Sequence, residues 1–383
     1  MTTPLNDLTR AGQAIWLDYL HRKILHDGEL ARFIAEDDVR GMTSNPSIFE
    51  KAIGDGDDYD AGLSAALAGG VAKPMDLYEA VAIEDIRAAC DLFRPTFERL
   101  GGRDGFVSLE VSPYLARDTE GTVAEAKRLW AAVERPNLMI KVPGTAEGAP
   151  AIGRLIADGV NVNVTLLFGR DAYRAVAEAH LAGLEERVAA GQDVAAIQGV
   201  ASFFVSRIDT AIDKQIDERL KTASGGEAEA LKALRGKVAI ANAKLAYQDY
   251  LQMLQTPRWK ALAAAGAHPQ RLLWASTGTK DPAYSDVLYV ETLIGPDTIN
   301  TMPPKTLEAF REHGRVAPTL TEDVAGARTI LDQAAAQGLD LDEVTARLVD
   351  EGVALFAKAF DDLLAAVGEK QARLSRAPRT AAR

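Results

Sequence analysis

The chain of 383 residues is 47% hydrophobic and 26% charged, an ordinary globular composition with enough apolar side chain to bury a large core. Its formal charge of −12 excludes a broad basic face of the kind that coats nucleic acid or an anionic membrane, so any phosphate must be gripped locally. The start MTTPLNDLTRAGQ lacks the basic and apolar regions of a secretory signal, no run of about 18 apolar residues occurs, and the single cysteine, Cys90, cannot form an internal disulfide. The expectation is a cytoplasmic protein in a reducing compartment, with Cys90 a core thiol.

Taken in chain order, short apolar runs recur: AIWLDYL, GMTSN, FVSLEVS, LMIKVPG, VNVTLLF, IQGVASFFV, RLLWAS and TINTMPP. They are too unbroken for half-exposed strands and fit a parallel sheet covered on both faces. Between most of them lies a helical spacing of apolar residues, as in 76–100, 122–134 and 171–190. Strand followed by helix, repeated, means right-handed βαβ units. Eight such runs most economically close into a (β/α)8 barrel, although a doubly wound open sheet shares the local pattern.

Two stretches exceed a minimal barrel, 221–270 and 318–377, both helical in pattern and expected to pack outside it. The acidic GDGDDYD at 54–60 and the AGG at 68–70 read as solvated loops, and the tail SRAPRTAAR as a frayed end. No linker or internal repeat divides the chain, which reads as one domain of residues 1–383. The Asn163 to Thr165 triplet has the form of a glycosylation acceptor but no meaning without a secretory route.

Three charges interrupt the apolar runs near the C-terminal ends of strands, where barrel enzymes place their active sites: Asp18 after AIWL, Glu110 after FVSL and Lys141 after LMI. Burial of Lys141 would disfavour its ammonium form and free the amine to attack a carbonyl; alternatively the lysine snorkels to a surface carboxylate. Hydroxyl and amide groups stand at other strand ends, Thr43, Ser44, Asn45, Thr165, Ser202 and Ser276, and suit a polyhydroxylated substrate if they converge. Taken singly, each also fits a turn or cap.

For a phosphate the best cations are Arg207 and Lys280, after the sixth and seventh strands, or else they are ordinary surface charges. Ser276-Thr277-Gly278-Thr279 could offer amides and hydroxyls to phosphate oxygens, but no Walker or GxGxxG spacing supports a nucleotide. His21, His26, His180, His268 and His313 are scattered without metal-ligand spacing, which argues against a zinc site, and no GxSxG elbow supports a serine hydrolase.

The segments GMTSNPSIFEKAI, VSLEVSPYLARDT, LMIKVPGTAEG, VNVTLLF and ASFFVSRID resemble the strand-end motifs of transaldolases. The resemblance runs from about Trp16 to Pro304, and the length is similar to the long bacterial branch. It implies a (β/α)8 barrel that moves a dihydroxyacetone unit from sedoheptulose 7-phosphate to glyceraldehyde 3-phosphate, giving erythrose 4-phosphate and fructose 6-phosphate in the non-oxidative pentose phosphate pathway. By motif, the resemblance makes Lys141 the Schiff-base lysine, Glu110 its partner through a water held with Thr165, and Asp18 the acid/base at the cleaved bond. Asn45 and Ser202 would hold the ketose.

Arg207 matches the family's phosphate ligand. Shorter relatives place an arginine two positions after the serine matching Ser276, where this chain has Gly278, so the expected phosphate site is Arg207, Ser276 and Lys280. The resemblance implies no cofactor and no metal, and the chain is expected to act as a monomer or homodimer on sugar phosphates. The neighbouring activity is fructose-6-phosphate aldolase, whose members are shorter, carrying an amide at Glu110 and a tyrosine at Phe204. A silent sugar-phosphate-binding barrel is opposed by the intact set of Lys141, Glu110 and Asp18.

Overall fold

All eight apolar runs form strands: β1 (Gln13–Asp18), β2 (Val39–Thr43), β3 (Phe106–Glu110), β4 (Leu138–Pro143), β5 (Val162–Leu167), β6 (Gly199–Phe204), β7 (Arg271–Ala275) and β8 (Thr298–Met302). The computed structural model describes residues 3–376. Every strand pair is parallel and follows chain order, and β8 returns to β1 with Gln13 opposite Thr298, so the sheet is a closed barrel. Closure removes the open-sheet alternative and leaves no edge strand.

The apolar runs are continuous because each strand is covered on both sides, by helices outside and by side chains inside. Trp16 and Trp274 are wholly buried. Gly41 of β2 is needed for that packing, since a Cβ there would lie 2.5 Å from the Trp16 ring. The Trp16 indole donates to Asp104 at 2.8 Å, and Asp104 pairs with Arg271 at 3.1 Å.

The stretches at 76–100, 122–134 and 171–190 lie in helices Pro74–Arg99, Thr119–Val133 and Arg170–Ala189. Cys90 is fully buried and burial pushes its thiol pKa up, consistent with a core residue. In the acidic stretch, the expectation of a solvated loop fails at Tyr59, which is wholly buried under the Arg22 guanidinium, and at Asp60, which begins a helix and is paired by Lys370 at 3.1 Å. An aromatic ring set among aspartates still buries its area when a cation covers it.

The additional helices divide into two groups. Helices Gly225–Leu234, Val238–Gln255 and Pro257–Ala264 lie outside the barrel, where Ala241 and Leu245 pack on Ala327 of helix Val324–Ala336. The last helix, Leu341–Arg376, behaves differently from the expectation. At 36 residues it is about 54 Å long and reaches the C-terminal ends of the strands, with Gly352 against Leu166 of β5 and Phe356 in the barrel mouth. Its far end is tied down by Lys370, which donates to the Gly56 carbonyl at 2.6 Å. Ser375 and Arg376 end this helix rather than fraying, and the remainder of the tail lies outside the described residues.

Candidate active site

Because neighbouring parallel strands hold a fixed register, three charges far apart in sequence meet inside the barrel. Glu110 lies opposite Lys141 across the β3/β4 ladder, and Asp18 opposite Thr43 across β1/β2. The Lys141 ammonium donates to the Ser44 carbonyl at 3.0 Å and lies 3.3 Å from a Glu110 oxygen. Both side chains are about 95% buried, the exposures being 6% and 5%. A buried pair of this kind offsets most of its desolvation only when well paired, so it is weak as a stabilising device and points instead to use. The alternative of a lysine snorkelling to the surface is excluded.

Burial pushes the Glu110 pKa up, opposed by the Lys141 charge and reinforced by Asp18. Asp18 is raised for the same first reason, with the Thr43 hydroxyl, which donates to it at 2.7 Å, and the charges of Lys141, Arg207 and Lys280 pulling the other way. Thr43 is in turn bonded to the Thr301 hydroxyl at 2.8 Å. The two carboxyls therefore sit above the ordinary carboxylate range, closer to where proton transfer is useful near neutrality.

A pocket of about 180 Å³ opens over this floor. Asp18, Thr43, Asn45, Lys141, Thr165, Ser202, Phe204, Arg207, Ser276 and Lys280 line it as expected, whereas the Ser44 hydroxyl does not, being buried and donating to the Ser108 carbonyl at 2.7 Å. Glu110 stands behind the lysine. Each position has a local cause. Asn45 caps helix Pro46–Gly54, its side-chain oxygen accepting from the Ile48 amide at 3.0 Å, which leaves its NH2 group for the cavity. Ser202 donates to Asn163 at 2.7 Å, and Asn163 donates to Ser108 at 3.0 Å, a buried polar chain through β6, β5 and β3.

Thr165 precedes Leu166, whose φ of 59° accompanies a register shift between β5 and β6, and Ser276 has φ of 55°; both backbones are held in a left-handed conformation that is costly for non-glycine residues. The Ser276 hydroxyl is bonded to that of Ser206 at 2.9 Å. Arg207 follows in the first turn of helix Ser206–Leu220, with its guanidinium 5.3 Å from the centre of the Phe204 ring. Burial lowers its pKa and Asp18 opposes the shift. Thr165 Oγ1 is buried without a hydrogen-bond partner, which is unusual for buried polar atoms, and the buried Glu110 Oε2 faces the Lys141 ammonium at 3.3 Å without a well-formed hydrogen bond.

Sequence reasoning missed four contributors. Phe356 roofs the pocket from the last helix, and Thr301 and Pro303 close the β8 side. Asn163, read only as part of a glycosylation triplet, ties Ser202 to Ser108; the signal was present, since it is a polar residue inside an apolar run. None of the histidines lines the pocket, and among the described residues no group of three or more His, Cys, Asp or Glu is arranged to hold a metal ion.

The comparisons with known proteins agree with this geometry. The family model described as transaldolase/fructose-6-phosphate aldolase matches residues 15–367. The chain is 47% identical over 98% of its length to the transaldolase of Trichodesmium erythraeum, covering 99% of that protein. It is 52% identical over 94% of its length to that of Thiobacillus denitrificans and 49% over 97% to that of Thermobifida fusca, covering 99% of each. A closed barrel with an amine buried beside a carboxylate at its floor, and close likeness along almost its whole length, place the chain in the transaldolase/fructose-6-phosphate aldolase family.

Proposed function

We propose that the chain is a transaldolase that transfers a dihydroxyacetone unit between sugar phosphates through a Schiff base on Lys141. The observation that carries this is the Lys141 ammonium, 6% exposed and 3.3 Å from Glu110, at the floor of a pocket whose walls offer hydroxyls and amides and whose mouth offers cations. The donor is sedoheptulose 7-phosphate and the acceptor glyceraldehyde 3-phosphate; erythrose 4-phosphate and fructose 6-phosphate result.

The Lys141 amine, after passing its proton to Glu110, adds to the ketone carbon, and loss of water gives an iminium. Asp18 removes the proton of the C4 hydroxyl, the C3–C4 bond breaks, the aldose leaves, and its electron pair enters the iminium to give an enamine. The enamine adds to the acceptor aldehyde, Asp18 returns the proton to the new alkoxide, and water releases the ketose. Thr165 has a buried hydroxyl without a partner and Glu110 a carboxylate that meets only the Lys141 ammonium, which suits them to hold the water that enters and leaves. Asn45 and Ser202 orient the ketose hydroxyls, and Phe204 and Phe356 keep bulk water out. Arg207, Ser276 and Lys280 take the phosphate.

All 383 residues act as one domain in this reading, within the cytoplasm and as a monomer or homodimer. No helix among the described residues is long and apolar enough to cross a membrane. The test supplies fructose 6-phosphate with erythrose 4-phosphate and separates the products. Formation of the seven-carbon ketose without free dihydroxyacetone supports transfer. Free dihydroxyacetone at the full rate, independent of acceptor, means the sister aldolase activity instead.

A further inference from the structure

Lys280 reaches the pocket from a segment with little regular structure, Ser276 to Val287, joining β7 to the short helix Leu288–Glu291. A lysine on such a segment is a poor ligand unless its backbone is fixed, because ordering chain and side chain at the moment of binding costs affinity. On one side of the lysine, the Thr277 hydroxyl donates to Asn300 at 2.9 Å. On the other, Asp286 is bonded to His313 of helix Pro304–His313 at 2.9 Å, and the remaining side-chain ties out of the segment lead to the external helical insertion or to the helix that carries Arg207.

Asp281 accepts from Arg235 at 3.0 Å, and Arg235 also pairs with Asp217. The Tyr284 hydroxyl donates to one oxygen of Asp213 at 2.7 Å, while the other accepts from the Gly236 amide at 3.2 Å. Deeper in, Asp209 accepts from the Ala239 amide at 2.8 Å and from the Tyr289 hydroxyl at 3.0 Å. Gly236 has φ of 65°, and a Cβ there would meet the Tyr284 ring at 2.8 Å, so glycine is needed both for the turn and for the ring to lie on it.

Asp209 and Asp213 belong to helix Ser206–Leu220, which begins beside Arg207. One buried acidic pair thus connects the Arg207 helix, the Lys280 segment and the Arg235-Gly236 turn. We propose that the Arg235-Gly236 turn of the insertion, acting through Asp281, Tyr284 and Asp213, is a positioning device that holds Lys280 at a fixed distance from Arg207 so that the two grip one phosphate group. The inference rests on the reading of Lys280 as a phosphate ligand and assigns a role to helices that otherwise lie outside the barrel.

The test uses the full chain and two probes: inorganic phosphate as a competitive inhibitor against fructose 6-phosphate, and unphosphorylated dihydroxyacetone as a Schiff-base former trapped by reduction. In Tyr284→Phe and, separately, Arg235→Met, the inhibition constant for phosphate and the KM for fructose 6-phosphate should rise about tenfold, with kcat within about twofold and trapping of dihydroxyacetone unchanged. Asp213→Asn, which keeps an acceptor for Gly236 and can donate to the Tyr284 oxygen, should stay near the parent. Lys280→Ala should give the same rise, and adding Tyr284→Phe to it should add little. If Lys280→Ala raises the constant while Tyr284→Phe and Arg235→Met leave it unmoved, or if they slow dihydroxyacetone trapping equally, the positioning role is wrong. If Lys280→Ala itself has no effect while Arg207→Ala does, the phosphate reading of Lys280 fails first.

Discussion

Lys141 and Arg207 bring positive charge into the same pocket by different means. Lys141 sits within a strand, fixed by the barrel register opposite Glu110 and bonded to the Ser44 carbonyl, so its place is determined by the sheet itself. Arg207 lies in the first turn of a helix, stacked on Phe204, and its neighbours at the mouth come from the loop that carries Lys280 and from a distant helix, whose Phe356 roofs the cavity. The floor is set by backbone hydrogen bonding and the mouth by packing between additions to the barrel. In the proposed reaction the chemistry common to all substrates is therefore on the rigid part, and contacts that depend on substrate length and phosphate are on the part that can be rebuilt.

If the floor is where bonds are made, the largest loss should follow Lys141→Met. No other lysine of the pocket reaches the same strand, and kcat should fall by about a hundred-thousandfold or more, the scale of losing a covalent nucleophile. Activity near the parent in that variant would contradict the division. Glu110→Gln and Asp18→Asn remove proton transfer but keep the amine, and each should lower kcat by about a hundred- to ten-thousandfold. Stopped-flow measurement should show Glu110→Gln slowing iminium formation and Asp18→Asn slowing carbon–carbon cleavage; the reverse pattern would exchange the roles of the two carboxyls.

The same two carboxyls make a pH prediction. Burial raises both, and in the proposed reaction Asp18 takes the hydroxyl proton in its ionised form, so kcat/KM should rise with pH through an apparent pKa above the ordinary carboxylate range. An acid limb at the value of a free aspartate would mean that these groups are better solvated than the pocket indicates.

At the mouth, Arg207→Ala should raise the KM for fructose 6-phosphate by about ten- to a hundredfold and leave kcat changed far less. A loss in kcat equal to that in kcat/KM would move Arg207 to the floor. The smallest effect is expected of Phe356→Ala, a few-fold loss in transfer rate, accompanied by more free dihydroxyacetone as water reaches the enamine. An unchanged ratio of transfer to release would show that the last helix only covers the barrel.

The floor was also the part most legible in the sequence. Eight short runs apolar on both faces, separated by helical patterns, fit strands buried on both sides, and a charge inside such a run declares itself, as Asp18, Glu110 and Lys141 do. Phe356 gave no such sign. In helix Leu341–Arg376 it is one apolar position among many at helical spacing, and only the path of the helix over the mouth distinguishes it from Phe360, which packs on Tyr78 and Tyr114. Tyr59 was concealed by the aspartates around it, and the ties of Asp213 to Tyr284 and Gly236 are long-range contacts that no local pattern encodes. What the sequence conceals is where a helix lies once its apolar side has several surfaces to choose from.

The proposed transfer rests on the amine of Lys141, and the most direct measurement is reduction of the protein with borohydride in the presence of fructose 6-phosphate, followed by peptide mapping by mass spectrometry. A three-carbon adduct on the peptide bearing Lys141, absent from Lys141→Met, is the predicted result. An unmodified Lys141 in active protein, or an adduct on another lysine, would contradict it.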